Sequence, residues 1–239
     1  MKDRADKILF DKGLVSSRSQ VKNLIDNGSV TVNGLVLRKA GEIIDSESEI
    51  VIHSPLYVGR GALKLEKALS EFQIEVNDKI FIDVGASTGG FTEVLLNNSV
   101  QKVYAIDVGH DQLAAKLRSN PRVINMEGTN IKDLRQLPDI IDGAVMDLSF
   151  ISITKVLSTI ETLIRPSGNL IALIKPQFEA GKERIPKDGV IKDPKVHTEV
   201  LNEVIQFATS HGWHHHKTID SPIEGKAGNK EFLSWFSKV

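Results

Sequence analysis

Four charged residues stand where an apolar run stops. Asp83 lies at the end of "IFIDV", Asp107 closes "KVYAID", Asp147 follows "GAVM" and Lys175 follows "LIALI". Each run has the aliphatic make-up of a strand buried on both faces of a parallel sheet. The carboxyl ends of such strands share one edge of an open α/β sheet, and that edge is where these sheets bind ligands. Lys175 is the least ordinary of the four. Pro176 follows at once and, having no N–H, stops the ladder there. A lysine alone at a strand end is more often a solvated cap. Beside a carboxylate on the same edge and a glycine-rich turn, it reads as a functional amine.

That turn lies in "FIDVGASTGGF". Gly85, Gly89 and Gly90 let backbone approach a ligand, and Ala86, Ser87 and Phe91 complete the loop and the start of the following helix. A dinucleotide site has G-x-G-x-x-G; the spacing here is G-x-x-x-G-G, which argues against a nicotinamide-dependent oxidoreductase. Asp83 offers a carboxylate to an ammonium group. Asp107, about 20 residues further on, suits ribose hydroxyls. An ammonium partner, close backbone and a ribose partner together describe S-adenosylmethionine, with Asp147 on the same edge.

The elements that must hold these residues can be read from periodicity. From residue 61 onward, short apolar runs alternate with amphipathic stretches, which predicts a doubly wound α/β domain with a mostly parallel sheet. Residues 1–54 have another pattern. "RADKILFDKG" predicts a short helix ended by Gly13. "SSRSQVKNLIDNG" predicts a second, capped by Ser16 or Ser17, striped by Val21, Leu24 and Ile25, and closed by Asn27-Gly28. "SVTVNGLVL" predicts a hairpin turning at Asn33-Gly34, and "EIVIH" one more strand. This module resembles the RNA-binding fold of a small-subunit ribosomal protein, which places Arg4, Lys7, Arg18 and Lys22 at an RNA surface. Residues 55–60 read as a linker, with Arg60 a further RNA contact, and 61–239 as the larger domain.

The net charge of −1 over 239 residues argues against a uniformly basic nucleic-acid binder. The distribution is uneven, because residues 1–40 hold eight Lys or Arg against four Asp. A basic head on an acidic body suits a polyanion partner. Without cysteines, the chain has no disulfide, cysteine-ligated metal or thiol nucleophile. No run approaches the ~20 apolar residues of a membrane span. The N-terminus lacks the pattern of a signal peptide, so a cytoplasmic address is expected. The run His214, His215, His216 is not expected to hold a metal, since neighbours on a strand face opposite ways. Residues 179–193 predict a long polar loop over or beside the site.

Six stretches in order, "GRGALKLEKAL", "DVGASTGGFTEVLL", "AIDVGHDQLAAKLRSNPRV", "MDLSFIS", "IKPQFE" and "GNKEFLSW", behind that head resemble the TlyA family of ribosomal RNA 2′-O-methyltransferases. Its members are often labelled hemolysins and have an FtsJ-like catalytic domain. The resemblance implies a Rossmann-like S-adenosylmethionine-dependent methyltransferase sheet behind a small α+β RNA-binding domain, with ribosomal RNA or ribosomal subunits as partner. It also implies a Lys-Asp-Lys-Glu catalytic set on Lys64, Asp147, Lys175 and Glu231. In this set we expect Lys175 to take the ribose hydroxyl proton, with Lys64 and Glu231 orienting the ribose. The family usually has Ser and Gly where this chain has Gly59 and Ala62. Two rivals have other signatures: a vestigial, non-catalytic RNA binder would lose members of the set, and a membrane-lytic protein would need an apolar helix or a barrel pattern.

Overall fold

A computed structural model describes residues 2–15, 21, 22, 24, 25, 28–52, 57–225 and 227–239. The chain divides into two compact units, residues 1–63 and 64–239.

In the first unit, β1 (Lys2–Arg4) pairs with β4 (Ile43–Asp45), and α1 (Ala5–Asp11) follows β1 directly. The hairpin β2 (Val30–Val32) and β3 (Leu35–Val36) turns through Asn33 and Gly34, both at positive φ, as the Asn-Gly pair requires. β5 (Ile50–Ile52) pairs with the other side of β2. Ala5, Ile8 and Leu9 of α1 pack with Leu24, Ile25, Val30 and Leu37 in one core. The expected caps at Ser16 or Ser17 and the closing Asn27 lie outside the described residues.

α2 (Ala62–Phe72) crosses the division between the units. The second unit is built on seven strands: β6 (Ile80–Val84), β7 (Lys102–Asp107), β8 (Val123–Glu127), β9 (Ile141–Met146), β10 (Ile164–Ile174), β11 (Trp213–Asp220) and β12 (Phe232–Lys238). Their order across the sheet is β11-β12-β10-β9-β6-β7-β8, and β12 alone among these runs against the rest. Between them lie α3 (Gly90–Asn97), α4 (Ala115–Arg118), α5 (Thr154–Leu163), α6 (Pro176–Glu179) and α7 (Pro194–Ser210). The alternating pattern read from sequence is therefore borne out strand for strand. Its predicted helix "QLAAKLRS" is reduced to a single turn, with Ala114 extended before it.

The order explains where a ligand belongs. From β6 the chain steps to β7 and β8 on one side, then returns to place β9 and β10 on the other. Strand order reverses at β6, and a crevice opens outside its carboxyl end. The central strands are held by burial. All five side chains from Leu170 to Ile174 have no exposed surface, and each Leu or Ile among them is worth about 1.5–3 kcal/mol. Among the described residues, no helix is long and apolar enough to cross a membrane.

Candidate active site

The glycine turn leaves β6 at the switch point. Gly85 has φ +84, and a Cβ there would lie 2.7 Å from the Asp147 carbonyl oxygen, so no other residue fits without a shift. Its N–H and that of Ala86 donate to the Ile106 carbonyl, which binds the turn to the end of β7. Ser87, also at positive φ, donates its N–H to Asp107 Oδ2 at 2.8 Å, and Gly109 N–H donates to Oδ1 at 2.8 Å. Each Asp107 oxygen thus keeps a lone pair for a further donor. A cleft of about 330 Å³ opens here, with Gly85, Ser87, Asp107, Asp147 and Phe150 in its wall. Ala86 and Phe91 are buried and, like Gly89 and Gly90, lie outside that wall.

Asp83 is also outside it. Its side chain is buried, Oδ2 accepts from Thr92 Oγ1 at 2.6 Å, and Oδ1 has no hydrogen-bond partner. Burial, with smaller contributions from Asp147 and Asp107, pushes the carboxyl up to about 7.

The edge beside the cleft gathers four charged groups. α2 packs its apolar face on the last strands, with Phe72 stacked on Trp235 and Lys67 bonded to the Asp220 carbonyl. This brings Lys64 to Glu231, Nζ to Oε2 at 2.7 Å, with both residues buried. In the β10–β12 ladder Ile174 faces Phe232, so the next pair outward is Lys175 and Glu231. β9 runs parallel to β10 and delivers Asp147 to the same edge. Lys175 Nζ lies 2.5 Å from Asp147 Oδ1 and donates to Ser149 Oγ at 2.9 Å; Lys64 Nζ lies 3.7 Å from Asp147 Oδ2. Burial raises the Asp147 carboxyl, but the two lysines outweigh it and hold the group below the usual carboxylate range. Such a chain of alternating charges can orient a hydroxyl and take its proton.

Phe150 stands on the rim with φ +65 and 90% of its surface exposed, 5.2 Å from the Phe178 ring; Phe178 in turn lies under Lys175. Ser149, Phe150 and Phe178 were not singled out in sequence. A bulky residue held in left-handed backbone leaves no local sequence mark, although all three sit inside "MDLSFIS" and "IKPQFE".

In the first unit, Arg4 is paired with Asp6 at 2.9 Å and Lys7 with Asp3 at 2.7 Å. Lys22 is exposed, and Arg18 lies outside the described residues. Arg60 packs its Cβ close to Gly28. On β11, His214 and His216 share one side, their rings 4.6 Å apart and His216 stacked on Trp235, while His215 lies against Phe236. The polar stretch 179–193 is tied down: Asn229 accepts from the Ile191 N–H and donates to the Gly189 carbonyl.

The sheet is that of the S-adenosylmethionine-dependent methyltransferases. The solved structure of one from Mesorhizobium loti has a TM-score of 0.56 over 75% of this chain and 99% of its own, at 15% identity, a likeness of fold alone. Residues 57–238 match the FtsJ-like methyltransferase family and residues 3–50 the S4 domain. The chain belongs to the FtsJ-like methyltransferase family. Its curated relatives include the 16S/23S rRNA (cytidine-2′-O)-methyltransferase TlyA of Mycobacterium tuberculosis, 39% identical over 97% of this chain and 88% of that protein. Hemolysin A of Brachyspira hyodysenteriae is 41% identical over 98% of this chain and 99% of its own length.

Proposed function

We propose that this protein transfers a methyl group from S-adenosylmethionine to a ribose 2′-hydroxyl of ribosomal RNA, in the cytoplasm, with the S4 domain supplying affinity for the RNA. The observation that carries this reading is the cluster Lys64–Glu231, Lys64–Asp147 and Lys175–Asp147 beside the cleft. The cytidine-2′-O activity named for the relative from M. tuberculosis supports it.

The residues fit the cofactor. Gly85 and Ser87 lie in the cleft wall, and Asp107 keeps an acceptor site on each oxygen for the two ribose hydroxyls. The unpartnered Oδ1 of Asp83 leaves an acceptor beneath the turn. When bound, S-adenosylmethionine supplies a methyl on a sulfonium centre that departs as a neutral thioether. The protein's task is then the weakly acidic hydroxyl. Lys175 spends two N–H groups on Asp147 and Ser149, which leaves one tetrahedral position on nitrogen for the ribose hydroxyl. The resting ammonium first gives a proton to solvent; the amine then presents a lone pair at that position and takes the hydroxyl proton. Asp147 compensates the lysinium that results, and Lys64 with Glu231 orients the ribose from the other side.

The test is methylation of ribosomal RNA transcripts and of small and large ribosomal subunits with labelled cofactor, followed by mapping of 2′-O-methyl positions. Ribose methylation at defined nucleotides is expected. Label found on a base nitrogen or carbon, or no transfer by protein that binds S-adenosylhomocysteine, would end this reading.

A further inference from the structure

Glu179 ends α6, four residues after Lys175. Its carboxylate spans to the loop that leaves β9. Oε2 accepts from Ser152 Oγ at 2.5 Å and Oε1 from the Ile153 backbone N–H at 2.9 Å. Ser152 Oγ is also 2.6 Å from Thr154 Oγ1. Between β9 and this contact lie Asp147, Leu148, Ser149 and Phe150, four residues of the site wall. The loop is held at its other end by the Asp147 N–H, which donates to the Val84 carbonyl. One carboxylate therefore joins the turn that carries Lys175 and Phe178 to the loop that carries their partners Asp147, Ser149 and Phe150. Removing water from Glu179 raises its carboxyl, and the bonds from Ser152 and Ile153 oppose that rise.

We propose that Glu179 is a positioning residue of the methyl-transfer site, a brace that fixes Asp147 and Ser149 against Lys175. The proposal rests on the methyl-transfer reading above. Glu179 touches neither reacting group. Its action is on geometry, and a misplacement of about 1 Å costs up to about 10²-fold in rate. The competing role is a plain cap of α5, whose first N–H groups lack partners within the helix. A cap affects stability as a whole, whereas a brace affects turnover first.

Glu179→Ala and Glu179→Gln in the full chain separate these roles. Four quantities are measured: kcat and KM for RNA at saturating S-adenosylmethionine, S-adenosylhomocysteine affinity by calorimetry, Tm, and amide exchange across residues 148–153. Glu179→Ala is expected to lower kcat about 10- to 10²-fold with KM and cofactor affinity within about 2-fold, and to speed exchange at Ile153. Glu179→Gln is expected to recover most of kcat, since its amide oxygen still accepts from Ile153 while Ser152 turns to Thr154. Unchanged kcat and exchange in the alanine variant overturn the brace. So does a loss shared by kcat, cofactor affinity and Tm that glutamine does not recover. A wild-type protein that binds S-adenosylhomocysteine but methylates no RNA sinks the methyl-transfer reading instead; exchange at 148–153 then decides the brace, and an unchanged pattern overturns it.

Discussion

Lys64 and Lys175 meet one carboxylate from two sides, the first 3.7 Å from Asp147 Oδ2 and the second 2.5 Å from Oδ1. Asp147 is thus the only one of the three that touches both others, and its charge is what makes two neighbouring ammonium groups tolerable. Asp147→Asn is expected to lower stability by about 3–5 kcal/mol, because two buried amines lose a counter-charge, and to abolish methyl transfer. The sign with pH follows from the depressed carboxyl. Its contribution is present above the ordinary value of 3.8 and is lost as pH falls through the lower folded-state value. Urea unfolding of both proteins should show a gap at pH 7 that closes in strong acid; a constant gap would place the effect elsewhere.

Lys175→Ala should fold normally and bind S-adenosylhomocysteine, since the strand behind it stays buried and Asp107 is untouched. Single-turnover methyl transfer should fall by about 10²-fold or more, the contribution of a positioned base. Lys175→Arg should not restore it, because a guanidinium stays protonated. Near-native turnover in the arginine variant would reduce Lys175 to a fixed cation.

Asp83 gives the opposite pH sign. A carboxyl raised to about 7 by burial stabilises the fold fully below its unfolded-state value, near 3.8, and progressively less as pH rises through 7. Wild-type protein should lose stability between pH 5 and pH 8 relative to Asp83→Asn, by on the order of 2–3 kcal/mol. Parallel pH profiles for the two would show that the group is already ionised in the folded state.

Lys22→Glu tests the S4 domain. Because Arg4 and Lys7 are engaged by Asp6 and Asp3, the exposed Lys22 is the better candidate for a phosphate contact. Filter binding over a salt series should show weaker RNA affinity and a slope reduced by about 1. Cofactor affinity should not move, and a change confined to cofactor binding would sink the assignment.

The sequence carried the strand ends well. Asp107, Asp147 and Lys175 terminate runs so uniformly apolar that burial on both faces was the natural reading, and a charge at such a boundary stands out. Lys64 and Glu231 had no such mark. A lysine on an amphipathic helix normally faces water, and Glu231 reaches the edge only through the β10–β12 register; both came from resemblance. Asp83 is legible as a carboxylate near a strand end, but its burial and its bond to Thr92 follow from the cover over every position of β6, which no local pattern marks. Arg4 and Lys7 were counted as basic surface, and their pairing with acids two and four residues away depends on the turn between β1 and α1. Glu179 was legible as a motif letter, but its partners Ser152 and Ile153 lie 27 and 26 residues earlier.

The reversed direction of β12 has a practical consequence. Because that strand starts at the edge where the parallel strands end, the ion pair of Lys64 and Glu231 joins residues 167 positions apart. Residues 186–188 lie exposed between Lys175 and Glu231. Cutting the polypeptide there leaves Lys64, Asp147 and Lys175 on one piece and Glu231, with β11 and β12, on the other. Neither half carries all four charged groups of the cluster, so the domain is suited to fragment complementation, with label transferred to RNA reporting that the two halves have met.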